Sequence, residues 1–90
     1  MERAVITVLG NDKVGIIANV CTYLAGANIN ILDISQTIMQ GFFSMMMVVD
    51  VSGRNRSFDD LIDDLNELGE RIDMQIKIQH EEIFNTMHRI

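Results

Sequence analysis

The residues best suited to chemistry lie where a strand-like run gives way to a helix-like run, in the stretch Leu9-Gly10-Asn11-Asp12-Lys13-Val14-Gly15-Ile16. A helix N-terminus carries unpaired N–H groups and a partial positive charge, so it can bind an anion such as an α-carboxylate without a basic side chain. Gly10 and Gly15 have no Cβ, which lets a ligand or another backbone approach closely. Such a loop is also common as a purely structural turn, and both interpretations stay open at this point.

The other reactive side chains follow patterns typical of structure or of a solvated surface. An acidic run on the second helix-like segment lacks the glycine-bearing loop of a calcium site; it comprises Asp59, Asp60, Asp63, Asp64, Glu67 and Glu70. His80 and His88 are too isolated from other ligand types to form a zinc site. Cys21 falls in an apolar stripe, where the usual role is that of a small buried side chain. The sequence predicts no catalytic residue, no metal and no cofactor, and so a protein that is not an enzyme.

Composition narrows the function classes further. The 90 residues make one small globular domain with 48% hydrophobic and 22% charged residues. A formal net charge of −6 opposes binding to nucleic acid or to an anionic membrane, which needs clustered Lys and Arg. The single cysteine cannot form an internal disulfide, no leader pattern precedes the first strand, and no apolar run approaches the ~20 residues of a membrane span. We expect a cytoplasmic protein whose partners are small molecules or proteins.

The first third of the chain predicts a strand followed by a helix. The β-branched run Arg3 to Leu9 is typical of a strand, and the helix is expected to begin at Asn11 or Asp12 and to end at Gly26. Its apolar face is spaced i, i+3, i+4 and i+7 and consists of Ile17, Val20, Cys21 and Leu24.

A hairpin is predicted next. A second strand is expected over residues 28–39, with a bulge near Ile31 or Leu32 where the alternation of polar and apolar residues changes phase. Gln40-Gly41 makes the turn. The third strand, Phe42 to Val51, is apolar at nearly every position, which predicts burial on both faces.

The last third predicts an amphipathic helix and a final strand. Ser57 is the expected N-cap, Asp60 follows three residues later, and the helix is expected to close at Gly69. Its apolar stripe consists of Phe58, Leu61, Ile62, Leu65 and Leu68. In the final strand Met74, Ile76 and Ile78 alternate with Gln75, Lys77 and Gln79, which predicts one dry and one wet face.

The element order βαββαβ predicts an α+β, ferredoxin-like sandwich. It consists of a four-stranded antiparallel sheet with two helices on one face, strands one and three central and strands two and four at the edges. Residues 1–80 form this domain, and residues 81–90 form a short C-terminal amphipathic segment. The second face of the sheet needs a cover, either a second subunit or the segment itself, whose apolar residues at helical spacing are Ile83, Phe84, Met87 and Ile90.

These residues resemble the ACT domain, a small regulatory module that commonly binds amino acids. The resemblance spans about residues 3 to 80 and is carried by Gly10-x-Asp12-x-x-Gly15-Ile16, Leu24, Asn28-Ile29-Asn30-Ile31 and Ile34. A more specific similarity, to small stand-alone bacterial ACT proteins of unassigned function, is carried by Gln36-Thr37-Ile38-Met39, Phe42-Phe43-Ser44-Met45 and the ending Ile83 to Ile90. The chain is also similar to the ACT modules of the glycine cleavage system repressor and of formyltetrahydrofolate deformylase.

The resemblance implies a ligand site between two subunits, formed by the loop after strand one and by the start of strand two, often from the neighbouring chain. Its expected residues are Gly10, Asn11, Asp12, Val14, Gly15 and Ile16, with Asn28, Ile29 and Asn30. Loop amides could hold a carboxylate, and Asp12 or the Asn11 side-chain oxygen could hold an ammonium. Asp12 could equally be a helix N-cap, and Asn28 a turn residue in a left-handed conformation.

Two functions follow from these expectations. The first is a homodimeric regulatory module that senses an amino acid and transmits this to a partner protein. The second is a protein-interaction or assembly module with an empty ACT site.

Overall fold

The computed structural model of the protein describes residues 1–87. Its elements are β1 (Arg3–Asn11), α1 (Ile16–Gly26), β2 (Asn30–Met39), β3 (Phe42–Asp50), α2 (Phe58–Ile72), β4 (Met74–His80) and α3 (Glu81–Met87). The strands form one antiparallel sheet in the order β2-β3-β1-β4. This confirms the ferredoxin-like fold, with β1 and β3 in the centre and β2 and β4 at the edges.

The hydrophobic core lies between one face of the sheet and the helices α1 and α2. Side chains alternate between the two faces of a strand, so every second residue of β1, β3 and β4 contributes to this core. The core residues of these strands are Ala4, Ile6, Val8, Phe43, Met45, Met47, Val49, Met74, Ile76 and Ile78. The helices contribute Ile16, Val20, Leu24, Leu61, Leu65 and Leu68.

The expectation that β3 is buried on both faces is wrong for the single chain. Burial alternates along β3. Met47 is fully buried against the helices, whereas Met46 on the opposite face is 43% exposed. Both helices that fill the core lie on one side of the sheet. The other side, here called the open face, is partly covered by α3, which contacts β1 and β4.

Helix α1 begins later than its sequence predicts. β1 runs two residues past Leu9, and the amide of Asp12 still donates to the carbonyl of Gly41 at 2.7 Å, so the chain remains extended where the helix was expected to start. The N-cap is Gly15, and the proposed capping role of Asp12 is therefore wrong.

The apolar face of α1 also differs from the prediction, because Ile16 is buried and Ile17 is 38% exposed. Cys21 is half-buried and packs against the core.

Helix α2 continues through Gly69 to Ile72, contrary to the expected end. Gly69 is buried inside the helix, where a Cβ would lie 2.5 Å from the carbonyl oxygen of Met74. Glycine is needed there for close packing of α2 on β4, and the left-handed C-cap is Asp73, with φ 57°. The predicted N-cap is confirmed, since the Ser57 hydroxyl accepts the amide of Asp60 at 3.1 Å.

The β2–β3 hairpin has the predicted turn and the predicted bulge. Gln40 and Gly41 both have positive φ, 52° and 80°, which matches the type I′ turn that suits the twist of a hairpin. The pairing register shifts between Ile31 and Asp33, in agreement with the expected bulge. β2 begins at Asn30 and not at residue 28, and β3 ends at Asp50, one residue before Val51.

The C-terminal segment forms a helix directly after β4. Phe84 is half-buried and faces the open face of the sheet, whereas Ile83 is 53% exposed. Within one chain, Phe84 packs on the sheet as predicted, whereas Ile83 does not; packing of Ile83 on a neighbouring subunit stays a prediction. Ile90 and the side chain of Met87 lie outside the described residues.

Candidate functional site

The loop between β1 and α1 leads into a helix start that no side chain caps. Gly15 is the N-cap, with φ 92°, and the first turn of α1 contains no acidic residue. The side-chain amide of Asn19 donates to the Gly15 carbonyl at 2.7 Å, and the Asn19 backbone amide donates to the same oxygen at 3.0 Å. Both bonds stabilise the turn, and both use the Gly15 carbonyl oxygen as the acceptor. They leave the N–H groups of the first turn available to bind an anion.

Most of the side chains predicted for the site project into solvent from this loop. Asn11, Asp12 and Val14 are exposed, and Val14 is completely so. Ile16 is buried in the core, so its side chain is not available to a ligand.

Glycine is required at positions 10 and 15 of the loop for two different structural reasons. At Gly10 a Cβ would lie 2.6 Å from the sulfur of Met74, so this glycine makes room for a core side chain. At Gly15 the positive φ is unfavourable for residues with a Cβ, and a Cβ would meet the Asn19 side chain at 3.4 Å. Close approach of a ligand is therefore not required to explain either glycine.

The second half of the predicted site follows α1. Asn28 has φ 60°, and its side-chain amide donates to the Gly53 carbonyl at 2.7 Å, which confirms the turn role considered for it. Ile29 is buried, and its amide donates to the Leu24 carbonyl at 3.0 Å. Asn30 begins β2 and is exposed. Of the three, Asn30 presents the side chain that is best placed for a ligand.

The two halves of the predicted site lie at opposite ends of the sheet. Asn30 pairs with Asp50, which also pairs with the first residue of β1, whereas Gly10 and Asn11 form the other end of that strand. The length of β1 separates them by about 25 Å at ~3.3 Å per residue. A single chain does not bring the predicted residues together.

Two polar clusters escaped the sequence interpretation. The Tyr23 hydroxyl of α1 donates to Asp64 of α2 at 2.6 Å, and Arg56 pairs with the same carboxylate at 2.7 Å. Partial burial, and then the hydrogen bond to Asp64, raises the pKa of Tyr23, so the phenol stays protonated. This contact joins the two helices over a sequence separation of 41 residues, which no local pattern reveals.

The second cluster lies where β1 begins and β4 ends. The Glu2 carboxylate accepts hydrogen bonds from Arg54 at 2.6 Å and pairs with His80 at 2.9 Å, and these bonds lower its pKa. The ring of Phe58 stacks on the His80 ring, with centroids 3.9 Å apart. The cluster fixes the junction between β4 and α3.

Among residues 1–87, no group of three or more His, Cys, Asp or Glu side chains is placed to hold a metal ion. No helix within the same residues is long and apolar enough to cross a membrane.

The family model for the ACT domain matches residues 2–79 of the chain. The chain belongs to the ACT domain family. ACT domains are regulatory ligand-binding modules. A protein of Bifidobacterium longum in the group UPF0237 is 53% identical over 90 residues, which cover the full length of both chains. The resemblance to small proteins of unassigned function is thereby confirmed.

Solved structures place this ACT domain in the same family. An ACT domain protein from Streptococcus pneumoniae superposes with a TM-score of 0.81 at 40% identity and covers 92% of this chain and 93% of its own. A formyltetrahydrofolate deformylase from Pseudomonas syringae shares the fold, with a TM-score of 0.82 at 23% identity over 89% of this chain and 28% of its own. A candidate glycine cleavage system transcriptional repressor gives a TM-score of 0.77 at 25% identity over 88% of this chain and 45% of its own.

Proposed function

We propose that this ACT domain is a homodimeric sensor of a small amino acid, and that ligand binding changes the dimer interface and so regulates a partner protein. The ligand is held by Gly10–Ile16 of one subunit and Asn28–Asn30 of the other. One observation carries the proposal: the two halves of the site lie at opposite ends of the same helix and of the same sheet.

That separation is the geometry that a two-fold axis resolves. In a symmetric dimer each surface meets its own copy, so an element that crosses the axis runs antiparallel to its partner. If α1 and β2 lie beside the axis, the start of α1 in one subunit meets the end of α1 and the start of β2 in the other. Both halves then come together, and each dimer contains two equivalent sites.

The edge of β2 supports this arrangement. Over its ten residues β2 carries one charged side chain, Asp33, and no proline, whereas exposed edges are usually protected by charges or prolines. It also exposes apolar side chains, namely Leu32, Ile34, Ile38 and Met39. Ile17 of α1 is exposed as well. Pairing of β2 with its own copy would cover these residues and continue the sheet across the dimer.

The chemistry of the two halves suits a zwitterion. The uncapped N–H groups at the start of α1 favour a carboxylate, and the exposed Asp12 carboxylate or the Asn11 side-chain oxygen can accept from an ammonium group. Asn30 of the partner subunit supplies a neutral donor and acceptor. The resulting site would be selective for an α-amino acid over a plain carboxylic acid.

An assembly module with an empty site remains the second candidate. It is favoured by the structural roles of Gly10 and Asn28, which pack against Met74 and bind Gly53 without any ligand. In that case the dimer forms through the same edge, but no amino acid affects its stability.

The test is a thermal-shift screen of the protein against the twenty amino acids. A ligand at a hundred times its Kd should stabilise the folded dimer by about 2.7 kcal/mol. Asn30→Ala and the double substitution Asn11→Ala with Asp12→Ala should each abolish the shift, because they remove the side-chain partners that the two halves of the site offer to the ligand. Asp63→Ala and Asn66→Ala, at exposed positions of α2, are matched controls and should retain it.

Two outcomes would overturn the sensor proposal. If no amino acid shifts the transition while sedimentation shows a dimer, the assembly module is the better account. If a shift is seen but survives both site substitutions, the ligand binds elsewhere. Gly15→Val is unsuitable for this purpose, because the positive φ of Gly15 would strain the fold itself.

A further inference from the structure

The open face of the sheet contains a cavity that the proposed amino-acid site does not use. It has a volume of about 360 Å³ and lies between the sheet and α3. Its lining comprises Thr7, Leu9, Ser44, Met45, Met46, Gln75, Lys77, Gln79 and Phe84. Ligand sites in proteins usually measure ~300–1,000 Å³, so this volume suits a small molecule.

The strand register arranges the lining in two rows across the sheet. Thr7 pairs with Met46 on one side and with Lys77 on the other. In the next row Leu9 pairs with Ser44 and with Gln75. Side chains that face each other across antiparallel strands lie ~5 Å apart, so each row sets polar groups beside an apolar one.

The charge of this lining contrasts with that of the protein. The chain carries 13 acidic residues and a net charge of −6, yet among the described residues the cavity is lined by no carboxylate. Lys77 is its one charged side chain. The remaining polar groups are neutral hydroxyls and amides, which can donate to an anion.

Three apolar side chains, those of Leu9, Met46 and Phe84, also line the cavity. Phe84 of α3 forms a wall over the sheet, and Leu9 and Met46 form part of the floor. Met46 is 43% exposed in the single chain, so a ligand in the cavity would remove apolar surface from water.

We infer that this cavity binds a small monocarboxylate with an apolar body. The carboxylate pairs with the Lys77 ammonium and accepts from the Thr7 or Ser44 hydroxyl, and the apolar body lies against Phe84 and Met46. A dianion such as phosphate is disfavoured, because the single ammonium group balances only one negative charge. The second negative charge of the ligand would be left unpaired. An amine is disfavoured by the absence of a carboxylate from the described lining.

This site is independent of the proposed amino-acid sensor. The cavity opens on the side of the sheet opposite to α1, whereas the Gly10–Ile16 loop leads into α1 itself. The two proposals can therefore fail separately, and a variant at Lys77 leaves the loop unchanged.

The test is a titration of the full-length protein with benzoate, monitored by calorimetry and by 1H–15N NMR. We expect saturable binding with shift changes at Thr7, Ser44 and Lys77. Benzamide, which has the same shape without the charge, should bind about tenfold more weakly, as should benzoate to Lys77→Gln. Lys13→Gln removes the only other lysine of the chain, on the β1–α1 loop, and should leave the affinity for benzoate unchanged.

The inference is overturned by any of three results. The first is the absence of saturable benzoate binding at ~10 mM, where even weak ligands are detected. The second is equal affinity of Lys77→Gln and the parent protein, with both shown to be folded by their NMR spectra. The third is a pattern of shift changes centred on the Gly10–Ile16 loop, which would assign the carboxylate to the helix start.

Discussion

The substitution Ile38→Lys tests whether β2 forms the dimer interface. Ile38 lies on the exposed edge strand and retains 54% of its surface. Complete burial of an isoleucine is worth about 1.5–3 kcal/mol, so covering the exposed half contributes roughly half of that in each subunit. A symmetric dimer contains the residue twice, so the loss is about 1.5–3 kcal/mol per dimer. The dimer dissociation constant should rise by about 10- to 150-fold, and the introduced charge adds to this.

Sedimentation velocity over a concentration series measures this change. Ile83→Lys is the matched control, since Ile83 is 53% exposed and lies on α3, away from β2. Circular dichroism should show both variants folded, because neither side chain belongs to the core. A dimer that persists in Ile38→Lys and dissociates in Ile83→Lys would refute the β2 interface and assign the contact to the open face.

Three further predictions concern the fold. Met47→Glu should prevent folding, since it buries a charge at a side chain with 0% exposure, whereas Met46→Glu on the open face should fold normally by circular dichroism. Gly69→Ala should cost about 1–3 kcal/mol in urea unfolding, because its Cβ would overlap a β4 carbonyl oxygen, whereas Gly26→Ala has open space and should be neutral or stabilising. Hydrogen bonds lower the pKa of Glu2 below its usual 4.5. The stabilisation that Glu2 provides is therefore present above pH ~4.5 and is lost as the pH falls further. Glu2→Gln should flatten that part of an acid-unfolding curve.

The hydrophobic periodicity was sufficient to predict the fold because most elements carry an unambiguous pattern. The stripe of α2 and the alternation of β4 each bury one face, and the structure follows both. The bulge of β2 was also visible, since a change of phase in the alternation has few other causes. Periodicity indicates which face of an element is apolar, and one apolar face per element leaves few ways to pack six elements.

Element boundaries were predicted less well, because they depend on contacts that are distant in sequence. The start of α1 is delayed by the bond from Asp12 to Gly41, a residue of the β2–β3 turn. α2 passes through Gly69 because β4 packs against that position. The ligand site was assembled from a family resemblance, and the distance between its halves became apparent only from the strand register.

The central position of β1 has a consequence for how fast the chain folds. β2 and β3 are joined by a two-residue turn, so their hairpin can close locally and early. β1 must then pair with β3, although α1 and β2 separate these two strands in the chain. The other edge of β1 pairs with β4, which follows α2 in the chain. Such non-local pairing slows folding relative to a helical domain of the same size. Substitutions in the Gln40-Gly41 turn should therefore change the folding rate more than the unfolding rate, whereas substitutions in β4 should mainly accelerate unfolding.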